Sequence, residues 1–418
     1  MIFAKKLAEA LNMKNLFADR VLNNSTADLD EIFKNSANPE NISFSGGFPD
    51  NHLFPEADLK QAYQDAITND GPAIFQYQTT QGPLALRKKI AARMQQHAEV
   101  PTTANEVMLT QGGQQAIDLV AKLVLNHGDA MIVEGPTYMG ALAAFDTYEP
   151  TYYEVPVDQH GMDIRVLRKT LRQHPEIKLI YTVPDFHNPT GTTMSIKRRQ
   201  ELVALANQYN CLILEDSPYR DLRYNGKSVP AVKHFDTEGR VIFISSFSKI
   251  LSPALRTGWL VADEHLMTEL INLKSAIDVQ SPNVTLAAVN TYLDEHDLDA
   301  HIAKLNAAYK VKRDAMLTAM DRYFPKNVQY TRPNGGFFIW VTLPDNVDAH
   351  ELLTDVILPQ AHVAYVPSSC QFASRKVKNG FRLNYTSLAP VTITRGIQRL
   401  GALLQPQAAA NLQTAIQF

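Results

Sequence analysis

The chain has 418 residues, enough for two or three domains of ordinary size, and a formal charge of -3, which leaves no electrostatic footprint for nucleic acid and no polybasic surface for anionic lipid. Its two cysteines, Cys211 and Cys370, lack the spacing of a disulfide framework or a zinc site, so no metal is expected. No apolar run approaches the roughly 18 residues of a membrane span and the N-terminus opens no signal-peptide run, so a reducing, cytoplasmic setting is the expectation.

The first part, to about Asn41, is polar and helix-like, with a break at Asn23-Asn24-Ser25. A Gly/Pro-rich extended stretch follows, Ser45-Gly46-Gly47-Phe48-Pro49-Asp50. From there to about residue 305, short apolar runs alternate with helical patterns. The runs are Ala130 to Val133, Leu179 to Val183, Leu212 to Leu214, Val241 to Ile244 and Trp259 to Ala262; the helical patterns include Gln114 to Leu125 and Ser195 to Gln208. Apolar strands separated by helices predict an α/β fold with a mostly parallel central sheet covered on both faces. The basic cluster Lys197-Arg198-Arg199 reads as a solvated helix face. Cys211 opens an apolar run and reads as a small buried hydrophobe. The tail changes character. A long helical pattern from about Ala300 to Arg322 precedes two strand candidates, Phe337 to Val341 and Phe381 to Tyr385, which predicts a smaller α+β domain. The resulting division is an N-terminal segment 1–60 packing with the small domain, a large domain 61–305, and a small domain 306–418.

Polar residues gather where the predicted strands end, the edge at which open parallel sheets bind ligands. One strand runs into Pro184-Asp185-Phe186-His187-Asn188-Pro189-Thr190-Gly191, a second into Glu215-Asp216-Ser217-Pro218-Tyr219, and a third into Ser245-Ser246-Phe247-Ser248-Lys249. A lysine at such an edge is costly unless paired, solvated or neutralised, and desolvation would make it a nucleophilic amine. Taken alone, Ser-x-Lys is more often a surface loop. Asp216 by itself reads as a turn former or helix N-cap before Pro218, Tyr138 and Tyr219 as core tyrosines, and Arg382 as a side chain snorkelling from its strand. Thr110-Gln111-Gly112-Gly113-Gln114, between a short strand and a helix, reads as a plain connection or as an anion site of backbone N–H groups.

Together, Asn188-Pro189-Thr190-Gly191, Asp216-x-x-Tyr219, Ser246-x-Ser248-Lys249 and Arg256 stand in an order and at intervals that resemble the signature of class I/II aminotransferases of the fold-type I pyridoxal 5'-phosphate (PLP) superfamily. The likeness extends from about Ile42 to Thr386. Ile42 to Pro49 and Pro333-Asn334-Gly335-Gly336-Phe337-Phe338 resemble motifs of the 2-aminoadipate, kynurenine and aromatic aminotransferase branch. The resemblance implies that Lys249 is the Schiff-base lysine and proton shuttle, that Asp216 faces the pyridine nitrogen, and that Asn188 and Tyr219 bond the ring's phenolic oxygen. It implies stacking by Tyr138, and phosphate contacts from Gly113, Gln114, Ser246, Ser248 and Arg256. Many relatives carry a hydroxyl residue where Gly113 stands, so only a backbone donor is expected there. Arg382 would grip the substrate α-carboxylate, helped by Gly47 and Asn188. Tyr77 would reach a neighbouring subunit's phosphate, which implies a homodimer with shared sites.

The implied activity is ping-pong transfer of an amino group from an aromatic, 2-aminoadipate-like or other L-amino acid to a 2-oxo acid such as 2-oxoglutarate. The alternatives are a PLP-dependent β-lyase and a PLP-sensing regulator lacking its DNA-binding domain. Against the regulator, the stretch ahead of Gly46 is shorter than the about 50 residues of a small domain and carries no basic recognition helix. A nucleotide-binding reading lacks its Gly-x-Gly-x-x-Gly.

Overall fold

The computed structural model describes residues 16–22, 34 and 38–405. In chain order the strands are β1 (Ile42–Ser43), β2 (Val107–Thr110), β3 (Ala130–Gly135), β4 (Thr151–Asp158), β5 (Gly161–Met162), β6 (Leu179–Thr182), β7 (Leu212–Asp216), β8 (Val241–Ser246), β9 (Gly258–Val261), β10 (Gln329–Tyr330), β11 (Phe338–Thr342), β12 (Val363–Ala364), β13 (Val366–Pro367) and β14 (Gly380–Asn384). Five helices matter below: α1 (Gly113–Val124), α2 (Ile196–Tyr209), α3 (Glu264–Asp278), α4 (Leu298–Tyr323) and α5 (Pro390–Leu404). The break expected at Asn23-Asn24-Ser25 lies outside the described residues.

The large sheet has the order β2-β9-β8-β7-β6-β3-β4-β5. Its centre, β4-β3-β6-β7-β8, is parallel, whereas β9 runs antiparallel to β2 and β8, and β5 antiparallel to β4. Trp259 to Val261 is thus the strand whose direction apolarity could not reveal. Successive residues point to opposite faces. Met131, Val133, Leu179, Tyr181 and Leu214 join one core with Ala116, Ile117 and Val120 of α1; Ile132, Ile180, Ile213 and Val241 join another with Leu202 and Val203 of α2. Burial on both faces is why these runs are continuously apolar.

Local signals set the helix ends. The Ser195 hydroxyl accepts from Arg198 N–H and starts α2, and Asn210 at φ 53° ends it in the left-handed conformation. The basic cluster at the start of α2 departs from expectation. Arg198 pairs with Asp158 at 2.6 Å, but Arg199 is fully buried and binds Asp185 at 2.8 Å, with Arg220 on the same carboxylate. The second arginine of that run therefore anchors the loop after β6 rather than facing solvent. Cys211 is buried, and burial pushes its thiol up to about 11.

The second sheet, β10-β11-β14-β13, is antiparallel throughout and packs with α4 and α5 around Met316, Ile339, Val341, Leu383, Ile393 and Ile397. Ile42 and Phe44 belong to this core, and β1 pairs in parallel with β12. The Gly46-Gly47 stretch is thereby carried from the small sheet across to the edge of the large one. No helix among the described residues is long and apolar enough to cross a membrane.

Candidate active site

The parallel strands β6, β7 and β8 deliver their C-terminal ends to one rim. Asp216 is the last residue of β7, not a cap after it, and is buried. Tyr181 of β6, fully buried, donates its hydroxyl to Asp216 Oδ2 at 2.8 Å. Burial lifts the Asp216 carboxyl to about 7, against the Tyr181 hydrogen bond and the Lys249 charge, which both pull it down. Lys249 lies three residues beyond β8 and is half-buried. Its Nζ donates to Gly47 O at 3.0 Å and sits 5.9 Å from the Phe337 ring centre. Burial, then the Arg382 and Arg256 charges, push this amine down to about 8, with Asp216 opposing.

Arg382, on β14 of the small sheet, is buried and reaches the loop that follows β6 of the large sheet. Nη1 donates to Asn188 Oδ1 at 2.8 Å and Nη2 to Ser45 O at 2.6 Å, while Nε is buried without a partner. Its guanidinium lies 4.2 Å from the Phe338 ring centre. Burial lowers its pKa to about 10, which leaves it charged at neutral pH. Asn188 also offers Nδ2 to Tyr219 Oη at 3.5 Å, so one amide joins the arginine to the tyrosine. Tyr138, half-buried just ahead of the helix Met139–Phe145, has its hydroxyl raised by burial and by the charge of Asp216. A side chain at Gly140 would strike the Tyr138 ring at its hydroxyl.

Between β2 and α1 lies a turn with Gly112 at φ 80°. A Cβ there would fall 2.6 Å from Arg256 Nη2, whereas one on Gly113 would meet nothing within 4 Å. No side chain caps α1, so its first N–H groups are left for an anion. Arg256 is exposed and donates Nη2 to Gln111 O at 2.8 Å. Ser246, the last residue of β8, and Ser248 are buried and joined by a 3.4 Å bond from Ser248 N–H to Ser246 Oγ. The Gln114 side chain turns to Gly140 O at 2.6 Å, which leaves its backbone N–H as the group available to the turn. Tyr77 is not gathered with the others: it is 77 % exposed.

Motif reading missed Tyr181, because a tyrosine inside an apolar strand carries no signal for where its hydroxyl goes. It also missed Glu134 and His187, a fully buried pair 3.2 Å apart. Glu134 accepts from Thr182 Oγ1 and Val183 N–H, each at 2.8 Å, and His187 Nδ1 meets Thr190 Oγ1 at 2.8 Å. Together they fix both flanks of Asn188.

A family model described as aminotransferase class I and II matches residues 41–400. The chain is 37% identical to aromatic-amino-acid aminotransferase 1 of Thermococcus litoralis, over 96% of each chain. It is 34% identical to 2-aminoadipate transaminase of Thermus thermophilus, over 90% of this chain and 93% of the relative. Its structure resembles that of Pyrococcus horikoshii kynurenine aminotransferase, solved with PMP, at a TM-score of 0.91 and 35% identity, covering 96% of this chain and 99% of the other. The fold is that of the fold-type I enzymes. The residues present also fit pyridoxal phosphate in their chemistry: an amine lowered toward neutrality, a buried carboxylate, an uncapped helix start beside an arginine, and a second guanidinium with a buried, unpartnered Nε.

Proposed function

Because this chain belongs to the class I and II aminotransferases and is a PLP-dependent enzyme of that kind, we propose that it moves the amino group of aromatic and 2-aminoadipate-like L-amino acids to a 2-oxo acid, 2-oxoglutarate among them, through the residues gathered at the sheet rim. The observation that carries this reading is the convergence of Lys249, Asp216 and Arg382 at the sheet rim, where the Arg382 and Asp216 charges act on the Lys249 amine, with Phe337 beside that amine and Phe338 beside the guanidinium. Pyridoxal phosphate, when bound, supplies an aldehyde that takes up the amino group and a ring that withdraws electrons.

The chain's own residues do the rest. Lys249 would be the amine that holds the cofactor's aldehyde carbon and, when free, the base placed to take the substrate Cα proton. Asp216, held by the Tyr181 hydroxyl, would be the carboxylate that favours a proton on the ring nitrogen. Asn188 and Tyr219 would be the donors to the ring's phenolic oxygen, and Tyr138 the aromatic side chain against the ring. Backbone N–H groups at Gly113 and Gln114, with Ser246, Ser248 and Arg256, bind the phosphate. Arg382 pairs with the α-carboxylate, assisted by Asn188 and Gly47.

The division into segment 1–60, large domain 61–305 and small domain 306–418 belongs to the same reading, as does a cytoplasmic homodimer in which the exposed Tyr77 completes the other subunit's phosphate site. β-Elimination and a regulatory role are not favoured by the comparisons.

A panel of amino donors tests the proposal. Each accepted amino acid, given alone, should release about one equivalent of its 2-oxo acid per site and no ammonia; pyruvate with ammonia would overturn transamination. Arg382→Ala is expected to raise KM for every donor by about 100-fold, the scale of losing one partner of a buried charge pair. An unchanged KM, measured by initial rates, would remove Arg382 from carboxylate binding.

The lowered amine makes a pH prediction. The neutral form attacks the cofactor aldehyde, and with a pKa of about 8 that form grows with pH below 8 and saturates above it. Covalent capture of PLP by cofactor-depleted protein should therefore speed up about tenfold from pH 6 to pH 7 and level off above about pH 8. Stopped-flow absorbance measures this directly; a rise continuing past pH 10 would mean an unperturbed lysine.

A further inference from the structure

The last turn of α3 holds a charged pair that the proposed reaction does not use. Lys274 is 0% exposed and donates to Asp278 Oδ1 and Oδ2 at 2.7 and 2.8 Å. An i,i+4 pair ordinarily lies on a helix surface and contributes little. This one has withdrawn its lysine from water altogether, which is unfavourable unless the partner is well fixed. The carboxylate is fixed by more than the lysine. Gln111 Nε2 and Gln115 Nε2 both donate to Asp278 Oδ2, at 2.7 and 2.6 Å. Burial works against the charge of Asp278, but the bonds from Lys274, Gln115 and Gln111 outweigh it and hold the carboxyl below its ordinary range.

All of these bonds lead to the residue before the Gly112-Gly113 turn. Gln111 N–H donates to Gln115 Oε1 at 2.8 Å, Gln111 O accepts from Arg256 at 2.8 Å, and the Gln111 side chain is tied to Asp278. Backbone donor, backbone acceptor and side chain of Gln111 are thus all engaged. The glycines cannot fix the turn themselves, since neither has a side chain and glycine loses the most conformational freedom on ordering. Just beyond α3, Gln280 Oε1 accepts from Gln78 N–H, which ties the chain next to Tyr77 to the same corner. Groups held in place before an anion arrives bind it without a further ordering cost.

We propose that the Lys274–Asp278 pair, acting through Gln111 and Gln115, is a positioning element that preorganises the Gly112-Gly113 turn for the cofactor phosphate. This rests on the reading of that turn as the phosphate site. The pair reaches the turn through Gln111 and Gln115, so its effect is expected for ligands that carry a phosphate.

Pyridoxal, which has the aldehyde and ring but no phosphate, separates this effect from general loosening. Parent and Asp278→Asn proteins are each loaded with PLP or with pyridoxal, and loss of the bound chromophore is followed after dilution. PLP should leave Asp278→Asn about tenfold faster than the parent, the scale of one charge-assisted bond, while pyridoxal leaves both at one rate. Gln115→Leu, which removes only the amide arm, should shift PLP in the same direction and serves if the first variant does not fold. Equal acceleration of both ligands, or no change in either, would overturn the inference. Indistinguishable release of PLP and pyridoxal from the parent itself would instead overturn the phosphate reading beneath it.

Discussion

Lys249→Ala is expected to lower turnover by about 10⁴-fold or more, and to abolish the borohydride-reducible attachment of PLP while the protein stays folded. Two losses combine. The variant has no amine to hold the cofactor, and none to take the Cα proton, a role that alone contributes up to about 10⁴-fold. The environment makes the lysine suited to both. Its Nζ is lowered to about 8 by burial and by two arginines, so a useful fraction is neutral near pH 7, and its hydrogen-bond partner among the described residues is the carbonyl of Gly47, a neutral acceptor that it can leave. Folding is retained, because removing this amine takes away an unfavourable desolvation along with the single hydrogen bond to Gly47 O. Turnover and borohydride incorporation, measured beside a thermal melt, check the prediction. Activity within tenfold of the parent would show that another group carries the proton.

Asp216→Asn is expected to lower kcat by about 10²- to 10³-fold while leaving the covalent attachment intact. Removal of one preorganised electrostatic partner at a reacting centre carries losses of about that size. The direction follows from the site. Burial has lifted the carboxyl to about 7, and the Tyr181 hydroxyl and the Lys249 charge pull it back toward ionisation. A cationic ring nitrogen adds a further opposite charge, so the carboxylate is ionised whenever that nitrogen holds its proton. Asparagine keeps the volume and can still accept from Tyr181, yet carries no charge to favour the proton. Single-turnover rates with an amino acid alone isolate this step from product release. A variant that keeps the parental rate would show that the ring nitrogen needs no carboxylate here.

Much of this site was legible in the residues. Asn188-Pro189-Thr190-Gly191, Asp216-x-x-Tyr219 and Ser246-x-Ser248-Lys249 each follow an apolar run, and in a parallel sheet all such runs end at one rim. The continuous apolarity of Val241 to Ile244 already said that its sheet is covered twice. Arg199 went the other way: a charge run on a helix start reads as solvent-facing, and only the loop from β6 folding back over α2 brings Asp185 against it. The antiparallel direction of β9 was hidden too, because apolar pattern encodes burial and not direction.

Sequence alone determined which chemical groups exist and at which strand ends they fall, since motif order and apolar period are properties of the chain itself. Tertiary structure decided what those groups meet. Arg382 lies 194 residues from Asn188 and Lys249 lies 202 from Gly47, and the packing of Ile42 and Phe44 into the core beneath the small sheet brings the Ser45 and Gly47 carbonyls over the rim. Burial at the rim raises the Asp216 carboxyl and lowers the Lys249 amine, and no local pattern of residues records that burial.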